Sequence, residues 1–230
     1  MGKEVLISGR DLRRHYRRGS ETVRALDGVD IDVRAGESVC IVGPSGSGKT
    51  TLVNLLSALD APTAGELTIG GRRVDGMTEG ELVEVRRGML GYVFQQFHLI
   101  PTLTVAENVA LPLLFLGRKE DSAEIGRVLE AVGLADRAGH LPKELSGGQM
   151  QRVAIGRALV VRPRVLIADE PTGNLDSHTG EAIFDLFQKA VREDGVALVL
   201  TTHNLALAAR CGRTVALVDG RLGGQASRSG

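Results

Sequence analysis

Five short stretches of the chain are apolar almost throughout: Ser38–Val42, Gly91–Phe94, Val165–Ala168, Val196–Thr201 and Thr214–Val218. A strand covered by helices on both faces carries apolar residues at successive positions, so this pattern predicts a mainly parallel sheet in an α/β fold. Three earlier stretches, Val5–Ile7, Val29–Val33 and Glu66–Ile69, alternate with polar residues. Turn pairs follow at Ala35-Gly36 and Gly70-Gly71. Alternation of that kind predicts an antiparallel β part with one face in solvent.

Between Pro101 and Leu145 the period lengthens. Thr104-x-x-Glu107 and Asp121-x-x-Glu124 each set a capping oxygen three residues ahead of a carboxylate, a signature of helix starts. Ile125, Leu129 and Val132 then recur at helical spacing. This predicts a helical subdomain, about residues 97–160, inserted into the core. A further helix over Ser177–Glu193 sets Ile183, Phe184, Phe187 and Val191 on one packing face. The whole reads as one domain of residues 1–222, with a small, polar tail over 223–230 expected to be disordered.

Charge changes this picture little. Acidic and basic residues balance at 28 each, so no global field draws the protein to nucleic acid, and no nucleic-acid partner is expected. The dense basic run from Arg10 to Arg18 predicts a solvated surface. The two cysteines, Cys40 and Cys211, are far apart in the chain and match no metal spacing. Cys40 sits in an apolar run as a small hydrophobe, and no disulfide framework is implied. The start is too charged for a signal peptide, and no stretch approaches the ~20 apolar residues that span a bilayer. Any work at a membrane is therefore expected of a peripheral subunit.

The chemistry lies in a glycine-rich loop. Gly43-Pro44-Ser45-Gly46-Ser47-Gly48-Lys49-Thr50, followed by Thr51, fits the P-loop pattern between a strand and a helix. Glycines let backbone N–H groups turn towards anionic oxygens, and the helix opening near Lys49 adds its positive end. Lys49 is placed to reach the β- and γ-phosphates, and Thr50 to ligate Mg²⁺. Downstream, the strand Val165–Ala168 ends in two carboxylates. Asp169 suits the holding of Mg²⁺, and Glu170 the orienting and deprotonation of an attacking water.

Leu145-Ser146-Gly147-Gly148-Gln149 matches the signature of ABC ATPases without change, and the resemblance covers nearly the whole chain, Val5 to about Leu222. It implies a P-loop NTPase fold of the ABC type, with ATP and Mg²⁺ as cofactors and ATP hydrolysis as the reaction. It also implies a homodimer on ATP binding, in which Ser146, Gly147, Gly148 and Gln149 face the γ-phosphate held by the other copy. Tyr16 then occupies the place of the aromatic that stacks on adenine, and Gln95 that of the glutamine touching Mg²⁺ or water. Asp176, in Gly173-Asn174-Leu175-Asp176, would contact the opposite subunit, and His203 would bind the γ-phosphate. Lys49, Gln95, Glu170 and His203 are the catalytic set by this resemblance, and Thr50, Gln95 and Asp169 the metal set.

The wording of Asp169–Asp176, Phe97–Pro101 and Ala106–Val109 is similar to that of the LolD/MacB group, which also includes the division-associated FtsE. That similarity implies a subunit bound to the cytoplasmic face of the cell membrane, powering an integral membrane permease on a separate chain. Lipoprotein release is the first expectation, with a macrolide or peptide exporter or a division ATPase as alternatives. A soluble ABC ATPase acting on ribosome or DNA is the alternative of another class. Asn204 departs from the aspartate usual after the switch histidine. Met150 and Gly156 are less usual in the signature helix, where Gly156 is expected to cost up to about 1 kcal/mol against alanine. His98, His140 and His178 are expected at the surface.

Overall fold

Two long antiparallel strands set the first part of the chain apart from the rest. In the computed structural model, which describes residues 3–119 and 121–223, they form a hairpin of β1 (Val5–Arg18) and β2 (Glu21–Arg34). Next come β3 (Ser38–Val42), α1 (Lys49–Leu56), β4 (Ala64–Ile69), β5 (Arg72–Arg73), α2 (Glu79–Met89) and β6 (Leu90–Val93). Three helices follow: α3 (Val105–Phe115), α4 (Ser122–Ala131) and α5 (Gly147–Leu159). The chain then runs through β7 (Val165–Ala168), α6 (Ser177–Glu193), β8 (Ala197–Thr201), α7 (Leu205–Ala208), β9 (Arg213–Val218) and β10 (Arg221–Leu222).

The strands form two sheets. One is antiparallel, in the order β2-β1-β4-β5. The other has the order β10-β9-β3-β8-β7-β6 and is parallel except at β10. Its central strands β3, β8 and β7 are buried on both faces, whereas β9 alternates and leaves Val218 exposed. Val165 and Ile167 of β7 point into one apolar cluster with Leu52 and Leu55 of α1, while Leu166 and Ala168 point into another with Phe184 and Phe187 of α6. The continuous apolar runs thus reflect cover from two sides, as the sequence predicts.

Three features go beyond what the sequence predicts. The basic run Arg10–Arg18 is the second half of β1, which pairs with β2 out to Arg18↔Glu21. It stays part-exposed, as expected, while three of its arginines also pair with carboxylates: Arg10 on Asp32 at 2.8 Å, Arg13 on Asp27 at 3.3 Å and Arg14 on Asp60 at 2.7 Å. Register shifts between Gly9 and His15 break the alternation that would have marked the strand. Asp121 caps α4 through the N–H of Ala123 at 2.9 Å, but Glu124 does not return the bond; it is buried in ion pairs with Arg118 (2.8 Å) and Arg162 (3.2 Å). The helix α2 was not foreseen, although Thr78 and Glu81 form the same capping box that Thr104 and Glu107 form on α3.

The unusual Gly156 has a packing reason. A Cβ there would stand 3.3 Å from Val109 of α3 and 3.3 Å from Val128 of α4, so glycine lets α5 lie close to both. Met150 packs against the same apolar cluster. Among the described residues no helix is long and apolar enough to cross a membrane. Of the predicted tail, residues 224–230 lie outside the described residues.

Candidate nucleotide site

Four parallel strands end side by side, and each delivers part of the site beyond its carboxyl end, where open α/β sheets bind ligands. β3 leads into the glycine loop, β6 towards Gln95, β7 into Asp169 and Glu170, and β8 towards His203.

The loop from Gly43 to Gly48 is shaped by close backbone approach. A Cβ at Gly43 would overlap Leu217 O, and one at Gly48 would overlap Ala25 O of β2. Gly48 stands at φ 102° as the N-cap of α1 and offers no side-chain cap, so the first N–H groups of that helix are left for another acceptor. Gly46, at φ 79°, has open space around its Cβ position. Lys49 is 6% exposed, and its Nζ donates to Gly43 O (3.0 Å) and Pro44 O (2.9 Å). Among the described residues it makes no ion pair, so a buried ammonium is held by neutral carbonyls alone. Ser47 Oγ is buried without a hydrogen-bond partner. Pro44, Ser45 and Thr50 are exposed, and Thr51 is half-buried. A cation, orphan donors and glycine clearance fit a polyphosphate.

Across from the loop, one hydroxyl holds the Asp169 carboxylate and the Glu170 backbone. Thr201 Oγ1 donates to Asp169 Oδ1 at 2.7 Å and accepts from Glu170 N at 2.8 Å. Glu170 lies at φ +45°, sparsely allowed for a residue with a Cβ, and such strain collects at functional sites. Its Oε1 stands 2.6 Å from His203 Nε2. A Cβ at Gly173 would stand 3.1 Å from Gln95 Nε2 and 3.6 Å from Glu170 Oε2, so the three residues crowd one point. The Tyr92 hydroxyl is pushed up from its ordinary pKa by burial and by the charge of Asp169.

Other predicted site residues have local partners. Ser146 and Gln149 form a capping box on α5: Ser146 Oγ accepts from Gln149 N (3.3 Å), and Gln149 Oε1 accepts from Ser146 N (2.9 Å). Gly147 packs near Leu175, and a Cβ at Gly148 would overlap Thr179 Cγ2 of α6. Asp176 caps α6 by accepting from Thr179 N at 3.0 Å, and that bond holds its carboxyl below the usual range. Asn204 caps α7 through the N–H groups of Ala206 and Leu207, at 2.9 and 3.2 Å. Tyr16 lies on β1 beside Val23, with its hydroxyl on Asp60 (3.0 Å) and the Arg14 guanidinium over its ring (4.8 Å). Of the remaining histidines, His98 and His178 are exposed; His140 is half-buried, 3.3 Å from Arg137.

Sequence reasoning passed over three positioning groups. Thr201 is one. Asn108, fully buried, accepts from Ile100 N and donates to the carbonyls of Ile100, Leu103 and Thr104, fixing the loop after Gln95. Arg157 donates to the carbonyls of Phe97 and His98, and burial lowers its pKa. An asparagine on an apolar helix face and an arginine inside the signature helix were the available signals.

This fold and site define a P-loop nucleotide-binding domain. The family model for ABC transporters matches residues 26–173. The lipoprotein-releasing system ATP-binding protein LolD of Geobacter metallireducens is 45% identical over 219 residues, covering 94% of this chain and 97% of that protein. YknY of Bacillus subtilis, an uncharacterised ABC transporter ATP-binding protein, is also 45% identical, covering 94% of this chain and 95% of its own. Among solved structures, a dimeric post-hydrolysis state of the cassette MJ0796 with ADP and Pi superposes with a TM-score of 0.90 at 41% identity, covering 97% of this chain and 99% of that one. MJ0796 comes from Methanocaldococcus jannaschii. The chain belongs to the ABC transporter family. Within that family it is an ATP-binding subunit with ATPase activity.

Proposed function

We propose that two copies of this chain bind two ATP molecules between them, each held by one copy's Gly43–Thr51 loop and the other's Ser146–Gln149 helix end, and that closure drives a separate membrane subunit. The observation that carries the reading is Glu170, fixed by Thr201 in a left-handed conformation and set against His203 at 2.6 Å on the sheet edge that also bears Lys49. A carboxylate so held serves as general base towards water, and His203 steadies it and meets the γ-phosphate. Lys49 and the N–H groups of α1 hold the β- and γ-phosphates. Mg²⁺ would be held by Thr50, Gln95 and Asp169, supplying charge neutralisation at the phosphates. Tyr16 stacks on adenine. The two ends belong to one site only when two copies meet, in keeping with the dimeric state of MJ0796.

The membrane subunit docks where the helical subdomain, about residues 97–160, meets the core. An apolar groove there is lined by Val83, Leu90, Pro112, Phe115, Leu116 and Val161, and Phe115 is 66% exposed. Such a groove suits a short helix on the cytoplasmic side of an integral membrane protein. Lipoprotein release is the cargo reading, supported by the LolD relatives at 43 to 45% identity. Replacing Glu170 with glutamine tests the site. ATP binding is expected to persist while turnover falls about 100-fold or more, and ATP with Mg²⁺ should shift the variant to a dimer on size exclusion. A variant that stays monomeric at saturating ATP would overturn the shared-site reading.

A further inference from the structure

The glycine loop rests on a turn that the chemistry above leaves out. Asp219 and Gly220 join β9 to β10, whose pairing starts at Val218↔Arg221. Both stand at positive φ, 47° and 73°, as the favoured two-residue hairpin turn needs. Gly220 N donates to Ser47 O at 3.0 Å. The peptide between Ser47 and Gly48 is trans, and a planar trans unit sets its carbonyl and its N–H on opposite sides. Holding Ser47 O against the turn therefore directs the Gly48 N–H to the face of the loop away from it.

Asp27 of β2 holds that turn twice. Its N–H donates to Gly220 O at 2.9 Å, and its Oδ2 accepts from Arg221 at 2.9 Å. Its Oδ1 faces Arg13 of β1 at 3.3 Å, while Arg24 and His15 stand further off at 3.8 and 3.9 Å. One carboxylate thus joins β1, β2 and β10 behind the loop. The Asp27 side chain is 10% exposed, and the bond from Arg221 holds its carboxyl below the usual range. Arg221 is 69% exposed, so the pair adds little to overall stability. What it restrains is the angle of a two-residue turn. A Cβ at Gly220 would stand 2.8 Å from Ala25 O, so the turn has no slack on the side of β2.

We propose that Asp27 is a positioning residue for ATP binding: through Gly220 and Ser47 it aims the Gly48 N–H at the nucleotide phosphates. The inference rests on the reading that the Gly43–Thr51 loop holds those phosphates. A loop whose donors already point correctly needs no ordering when the nucleotide arrives. Loosening the turn leaves Lys49 and Glu170 in place, so the loss falls on nucleotide affinity and the chemical step is spared. Arg221 acts with Asp27, since it follows Gly220 directly. Arg13 shares the same carboxylate but leads into β1, and it also pairs with Asp11 at 3.0 Å. It has no part in aiming the loop.

Titration calorimetry with ADP and Mg²⁺ reads the loop without turnover. Asp27→Asn and Arg221→Gln are each expected to weaken ADP binding about 3–10-fold and to raise the half-saturating ATP concentration equally, with the maximal rate within about twofold of native. Asp27→Glu should keep most of the affinity, and Arg13→Gln should bind ADP as the native chain does. Because Arg221 lies at the surface, its variant carries the test even if Asp27→Asn folds poorly. A fall in maximal rate at unchanged affinity, or an equal loss of affinity in Arg13→Gln, would sink the positioning role. Lys49→Ala separates the inference from the reading beneath it. If that variant loses ADP binding while Asp27→Asn and Arg221→Gln bind normally, the inference fails and the loop reading stands. If all three bind normally, both fail.

Discussion

Two helix ends bear on phosphate recognition, and they are finished differently. α1 opens at Gly48 with no side-chain cap, and its neighbourhood holds a buried ammonium and an unpartnered hydroxyl. α5 opens at Ser146 with a complete capping box, so its own side chains occupy donors that an anion would use. The first end is left open to a ligand in each copy alone. The second is stable by itself and can exchange an internal acceptor for an external one, as the proposed dimer closure on ATP requires.

The largest effect should come from the open end. Lys49→Ala removes its only buried cation and is expected to lower turnover at least ~100-fold with weakened ATP binding, as titration and steady-state kinetics would measure. Turnover at the native rate would remove the loop from the catalytic site. At the capped end, Gly148→Ala sets a methyl against Thr179 and should cost about 1–3 kcal/mol in urea unfolding. Adding Thr179→Ser deletes the opposing methyl and should restore most of that loss; if it does not, the close approach of α5 and α6 is not what requires glycine.

Ser146→Ala should destabilise the nucleotide-free chain by about 1 kcal/mol. Thr104→Ala, which opens the equivalent box on α3, should cost the same but leave ATP turnover unchanged. Equal kinetic effects from the two would erase the distinction between a plain cap and a phosphate-facing one. Smallest is Gly156→Ala, where a helix-propensity gain of up to about 1 kcal/mol meets crowding by Val109 and Val128. The net shift should stay below about 1 kcal/mol in thermal unfolding, and a larger gain would show that those valines can move aside.

Much of this was legible because the signals are local. An apolar run such as Val165–Ala168 needs only cover from both sides to become a central strand, and Thr104 with Glu107 specifies a helix start within one turn. The glycine loop likewise carries its chemistry in consecutive residues. What was not legible depends on partners distant in sequence. The run Arg10–Arg18 is an exposed surface as read, but its place in a strand was hidden, because Asp32, Asp27 and Asp60, which pair with Arg10, Arg13 and Arg14, lie elsewhere in the chain. The local caps made by Gln149 and Asp176, and the double use of the Thr201 hydroxyl, become visible only once helix ends and neighbouring strands are placed.

The back of the glycine loop carries one more consequence, for synthesis. Gly220 N donates to Ser47 O at 3.0 Å, Asp27 N donates to Gly220 O at 2.9 Å, and Cβ atoms at both Gly48 and Gly220 would crowd the Ala25 carbonyl. Residues near positions 26, 47 and 220 therefore close on one another. During translation the Gly43–Thr51 segment emerges well before Gly220, so a nascent chain that stops between them holds the motif without its buttress. The shape of the glycine loop is in this sense set late, by a segment far downstream of it.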